Sequence, residues 1–186
     1  VAISSVGSLA LPPMLYVHVR TKGVHLYCES SNKGDSVDGH FELQAFIPTE
    51  HHGYCNVVSS GMRIYMPTKL KELVVLTGTK VTDRVALLND GMPMAMCMLT
   101  GSICVGAEDG TVSRYEGNEG KKKKIFTNPV FALAELEGGL IVAGSTAHEP
   151  LRVLNDHLIE VQSLPFNPEA AGCGSLCAEV DRDEPV

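Results

Sequence analysis

The sequence predicts an all-β protein of about four repeated units, each a four-stranded antiparallel sheet. Three observations carry that expectation. Short alternating or apolar runs ("LYVHVR", "YCNVVSS", "SICVGA", "LIVAGS") recur along the chain, with Gly, Asp, Asn and Pro between them. Four further runs end on a large residue: "GVHLY" at Tyr27, "GMRIY" at Tyr65, "TVSRY" at Tyr115 and "PLRVL" at Leu154. Their intervals of 38, 50 and 39 residues read as a period near 40, the middle interval holding an extra loop of about eleven residues.

The units fall at approximately 1–49, 50–79, 91–128 and 129–166. In each, the aligned run stands between the alternating segment before it and another strand-like segment after it: "FELQAF", "LKELVVLT", "KKIFTN" or "HLIEVQSL". The last two units also show a first strand, "MAMCML" (94–99) and "VFALAEL" (130–136), introduced by Pro93 and Pro129. Between "SICVGA" and "TVSRY", Asp109-Gly110 supplies positive-φ positions for a two-residue hairpin. "SSNKGDSVDG" (30–39) and "TGTKVTDR" (77–84) read as exposed loops.

A 40-residue period with four strands per unit is the signature of β-propeller blades. "GAEDGTVSRY" follows the outline of a blade in WD-repeat proteins, which it resembles; the other three units follow it in part. Where that family has Trp-Asp, this chain has Tyr27-Cys28, Tyr65-Met66, Tyr115-Glu116 and Leu154-Asn155, and no unit has the early Gly-His pair. The resemblance therefore implies a divergent WD-like segment over residues 1–166. Because a blade buries both faces, four blades either close a small ring or form part of a larger, incomplete one. A start at Val1 rather than Met favours the second. Residues 167–186, "PEAAGCGSLCAEVDRDEPV" after Asn167, read as a flexible acidic tail.

Composition narrows the function. A net charge of −7 argues against nucleic acid as main partner, since phosphate binding draws on clustered Lys and Arg. The basic run Lys121–Lys124, in a strand or turn, reads as solvated and edge-protecting. No apolar stretch is long enough for a membrane helix. Six cysteines spread through apolar runs point to reduced, buried thiols and hence to cytoplasm or nucleus; Cys173 and Cys177 lack zinc-knuckle spacing.

Three constellations invite chemistry. His51, His52 and Cys55 in "HHGYC" are zinc-ligand types, with Cys28 as a further donor, but an exposed turn between units is the plainer account. Met94, Met96 and Met98 suit soft Cu(I), yet Met fills gaps in a buried strand. Ser30 and Lys33 have a Ser-x-x-Lys spacing without the helix start that acyl transfer needs, and "GNEGKKKK" is not a phosphate-binding loop. The innermost strands offer only Cys97 and Glu135, with Glu137 just beyond, so no catalytic residue is assigned.

The leading reading is a non-enzymatic protein-interaction scaffold, without cofactor, within a larger assembly. Its partners are other proteins or the remaining blades, and oligomers through exposed blade edges are a further expectation. Asp35, Asp38, Lys80, Asp83 and Arg84 are the partner-binding candidates. The alternatives are a zinc-binding module at His51/His52/Cys55 and a hydrolase at a propeller channel.

Overall fold

The computed structural model describes residues 3–9, 14–30, 40–51, 55–137, 139–144 and 151–164. Among these, every regular element is a strand, and consecutive strands pair into four antiparallel meanders. Sheet 1 holds β1 (Ile3–Leu9), β2 (Met14–Val19), β3 (Gly23–Ser30) and β4 (His40–Pro48). Sheet 2 holds β5 (Val58–Ser60), β6 (Arg63–Pro67), β7 (Glu72–Thr77) and β8 (Lys80–Ala86). Sheet 3 holds β9 (Pro93–Leu99), β10 (Ser102–Ala107), β11 (Thr111–Glu116) and β12 (Glu119–Lys124). Sheet 4 holds β13 (Val130–Leu136), β14 (Gly139–Gly144), β15 (Leu151–Leu154) and β16 (Glu160–Leu164). The chain divides into two compact units, Val1–Leu87 with sheets 1 and 2, and Leu88–Val186 with sheets 3 and 4.

In the first unit, every second residue of a strand turns to one core. Met14 and Tyr16 of β2 and Val24 and Leu26 of β3 meet Ile64 and Met66 of β6 and Val74 and Leu76 of β7. The second unit repeats the plan. Ala95, Leu99, Cys104 and Val112 of sheet 3 pack on Leu133, Leu140, Val142 and Leu154 of sheet 4. Each Leu or Val so buried contributes about 1.5–3 kcal/mol. Gly106 fixes how near the two sheets come, because a Cβ there would lie 2.4 Å from Val130 Cγ1.

Burial grades across sheet 3. All six residues of β10 are buried, hence its apolar sequence after Ser102, while all six of β12 are exposed. The four lysines thus occupy an outer edge strand, as expected, where their charge discourages pairing with another chain. β8 is likewise exposed except for Val85.

Three local expectations are corrected. "GMRIY" is not the third strand of its sheet but the second: Gly61 has a φ of 57° in the β5–β6 turn, and the third strand is "ELVVLT". β7 lacks the local marks of a third strand, having neither a preceding Asp-Gly nor a terminal aromatic. Equivalent hairpin positions are Tyr27, Leu76, Tyr115 and Leu154, spaced 49, 39 and 39 residues, so the long interval is the first. The second sheet also runs on to Ala86, beyond the boundary expected at 79, since Gly78 and Thr79 form only a hairpin turn.

The Asp109-Gly110 turn joins the expected strands, but its loop has three residues. Gly110 N–H bonds Ala107 O at 3.0 Å, and of the two turn residues only Gly110 has positive φ, 78°. The turn is clasped from outside. Ile125 and Phe126 donate their N–H groups to Gly110 O at 3.0 and 3.1 Å, and a Cβ on Gly110 would lie 2.2 Å from Phe126 O.

Two expected outcomes follow. Gly110→Ala should lower stability by about 2 kcal/mol or more in urea denaturation, since both φ and the Phe126 carbonyl oppose a side chain. His18 is buried, and that burial, reinforced by the Arg20 charge, lowers its pKa from 6.5 to about 4. Unfolded His18 therefore binds its proton first as pH falls: its contribution is intact above about 6.5 and is lost on descending toward 4. Melting temperature recorded across that interval should fall, and His18→Gln should make the slope shallower.

Candidate functional site

The best-defined polar architecture lies in the second unit and grows from β11, whose sequence alternates Thr111, Ser113 and Tyr115 with Val112 and Arg114. The first set faces Asn89, itself 2% exposed. Asn89 Nδ2 donates to Thr111 Oγ1 at 2.8 Å, and Asn89 Oδ1 accepts from the Ser113 hydroxyl and, at 3.4 Å, from Tyr115. Tyr115 in turn accepts Leu88 N–H at 2.6 Å. The Thr111 hydroxyl passes the chain on to the Asp109 carboxylate. Burial by itself would raise the Asp109 pKa, but the two Thr111 bonds and the Lys124 charge outweigh it and hold the carboxyl below its usual range. Each buried polar group in this relay thus has a partner, which makes it a bracing element.

Arg114 points the other way and ties sheet 3 to sheet 4. Its Nε donates to Ser102 Oγ at 2.9 Å, Nη1 donates to both Asp156 O and Oδ1 at 2.8 Å, and Nη2 lies 3.0 Å from Glu116 Oε1. Asp156 is held for this in the β15–β16 turn, where Asn155 Oδ1 accepts His157 N–H at 2.9 Å and Ile159 N–H at 3.0 Å. The Arg114 side chain is 10% exposed, against 62% for Glu116 and 63% for Asp156, so the fork is buried while its carboxylates face water.

Two clefts open beside this fork. One, of about 300 Å³, has Thr100, Arg114, Glu135, Leu136, Gly139 and Asp156 in its wall; the other, of about 170 Å³, lies among Arg114, Glu116, Glu119 and Lys121. Glu135 accepts Thr100 N–H at 3.1 Å, and Lys121 Nζ lies 3.3 Å from His157 Nδ1. The rim carries four carboxylates against one lysine and the internally committed Arg114. Chemically it can pair with a cationic side chain while a rigid frame holds the carboxylates in place.

Glu135, named from sequence on an innermost strand, stands in the cleft wall, whereas the described partner-binding and metal candidates do not line either cleft. Lys80, Asp83 and Arg84 are exposed but stand on β8 rather than on a loop, because "KVTDRVA" pairs with β7 apart from a bulge at Thr82. Arg84 is ion-paired with Glu72, and Asp83 Oδ1 accepts Arg84 N–H at 2.8 Å. Asp35, Asp38 and His52 lie outside the described residues, as do Lys33, Cys173, Cys177 and the segment 167–186. His51 and Cys55 are both fully buried, which corrects the expectation of an exposed turn; burial pushes the Cys55 thiol far above its usual pKa. Among the described residues no three His, Cys, Asp or Glu side chains gather as a metal site. Of the three methionines of β9, Met96 is buried while Met94 and Met98 are half-buried, so the core reading holds fully for Met96 alone; Cys97 lies opposite Cys104 across β9 and β10.

Arg114, Asp156, Ser102 and Asn89 were not recognised from sequence. An available signal was the polar alternation of "TVSRY" inside an otherwise apolar sheet. Asp156 and Asn89 are 42 and 22 residues from their partners Arg114 and Thr111, and no spacing rule connects them.

The geometry defines an all-β, propeller-like protein of four-stranded antiparallel sheets. No protein-family model and no curated protein matches the chain. Among solved structures it is similar to BBS1N, crystallised in complex with ARL6DN, at 16% identity and TM-score 0.66 over 89% of this chain and 52% of that one. It is similar also to the computationally designed Ika8 protein (13%, TM-score 0.66, 91% of this chain and 51% of that one). A chain of the mitotic checkpoint complex gives 12%, TM-score 0.65, with 88% and 51% covered. The chain spans about half the length of these three proteins, and the likeness concerns fold.

The two polar networks should respond differently to substitution. Asn89→Ala leaves Thr111, Ser113 and Tyr115 without their shared partner and should cost about 2 kcal/mol in chemical denaturation. Asp156→Asn, at a carboxylate exposed to water, should cost less than about 1 kcal/mol in the same measurement.

Proposed function

We propose that this chain is a divergent WD-repeat-like propeller segment serving as a non-enzymatic platform for a protein partner. The Arg114 end of the second unit is its docking face. The observation that carries the reading is the fork itself. All three guanidinium nitrogens of Arg114 are engaged within the fold, leaving the Asp156 carboxylate fixed and exposed beside the cleft of about 300 Å³ and the Glu116 carboxylate beside that of about 170 Å³. Such a frame favours recognition of a partner's lysine or arginine over chemistry, because its strongest donor is already occupied. The structures it resembles include propeller-like chains crystallised within complexes, which supports a protein partner. The hydrolase alternative through Glu135 has less support, for that carboxylate accepts the Thr100 N–H at a hairpin.

Photo-crosslinking tests the reading. A crosslinker at Glu119 or Lys121 should capture one dominant protein in the native extract, and Asp156→Lys should reduce that yield by about tenfold or more, consistent with loss of about 1.4 kcal/mol. Unchanged capture with Asp156→Lys would remove the cleft from the account. Turnover abolished by Glu135→Gln would replace the platform with an enzyme.

A further inference from the structure

One face of sheet 1 packs on sheet 2; the other carries an open apolar and aromatic surface. Leu15 and Val17 of β2 and His25 and Tyr27 of β3 are half-buried there, while Phe41, Leu43 and Phe46 of β4 are 44%, 54% and 45% exposed. Register places them together: Leu15 lies opposite Tyr27 and Val17 opposite His25, and across the next pair Tyr27 lies opposite Leu43 and His25 opposite Phe46. In a regular strand Leu43 and Phe46 would point to opposite faces. The register shift between Leu26 and Tyr27 gives β4 an extra residue and turns both to the same side. The His25 ring sits 4.8 Å from that of Phe46 and 6.4 Å from that of Tyr27.

Sheet 3 provides an internal comparison. Its corresponding residues Ile103, Val105, Ser113 and Tyr115 pair in the same register and are 4%, 0%, 0% and 2% exposed. On the outer strand, Gly120 and Lys122 stand where sheet 1 has Leu43 and Phe46. The same place in the repeat is therefore covered in sheet 3 and open in sheet 1, where a small and a charged residue give way to two large apolar ones.

We propose that this face of sheet 1 is a self-association surface, on which a second copy of the chain packs the same face about a two-fold axis. The described part of the face, β2 to β4, is roughly 14 Å by 25 Å or about 350 Å², so two copies bury about 700 Å², the size of a weak, transient interface. Self-pairing is favoured over a head-to-tail contact because, among the described residues on the face of sheet 4 turned from its core, Ala132, Ala134 and Val153 are only 6%, 7% and 7% exposed. Glu29, opposite Phe41, lies at one end of the strip, and antiparallel pairing keeps the two copies' Glu29 residues apart. The surface shares no residue with the Arg114 clefts, so it stands or falls independently of the platform reading.

Sedimentation velocity of the full chain from about 1 to 500 µM tests this, a range that spans the weak affinity such an area supports. The chain should pass from monomer to dimer with rising concentration. Leu43→Lys combined with Phe46→Lys should remain monomeric throughout with unchanged circular dichroism, and Val81→Lys, on exposed β8, should keep the dimer. If the double variant folds poorly, Tyr27→Arg should give the same loss. A wild-type chain monomeric at every concentration would overturn the proposal and leave the face to a different occupant. A dimer that survives both the double variant and Tyr27→Arg would overturn it equally.

Discussion

The close approach of Gly106 to Val130 is the contact on which the second unit depends, because it sets how near β10 comes to β13. At that separation Leu133, Leu140 and Val142 reach Cys104 and Val112, and the core closes between two sheets. The same spacing brings the β15–β16 turn within reach of Arg114, so the hydrophobic contact and the ionic fork depend on one distance. The clasp on Gly110 restrains the opposite end of β10 and β11. Function, on this account, follows from a spacing that admits only hydrogen at one backbone position.

A contrast separates inner from outer strands. Inner strands such as β7 and β10 are mostly apolar and buried, and the outer strands carry the variation. β12 is lysine-rich, β8 has mixed charge, and β4 presents Phe41, Leu43 and Phe46 to solvent. Lysines discourage pairing at an edge, whereas aromatic residues add contact area. The repeat therefore offers one scaffold with differently addressed margins.

Much of the architecture was legible in residue order because strand period and turn chemistry are local. "VFALAEL" matches β13, and "MAMCML" matches β9 apart from its proline. Confusion arose where two local patterns coincided: "GMRIY" imitates "TVSRY" in its basic, aliphatic and aromatic residues, though Arg63 opens β6 and Arg114 lies deep in β11. The Arg114 fork and the Asn89 relay were hidden for another reason. They join residues from distant segments that only sheet packing brings together. His51 and Cys55 misled in the opposite direction, for polar ligand types beside a glycine looked like surface and proved to be interior.

Hydrogen exchange of individual amides tests most directly whether buried inner strands frame exposed outer ones. Amides of β10 and β11 should be the slowest in the second unit, with those bonded to Gly110 close behind, and amides on the open edge of β12 should exchange faster by orders of magnitude. Equal protection across β9 to β12, or an outer strand slower than β10, would contradict the account.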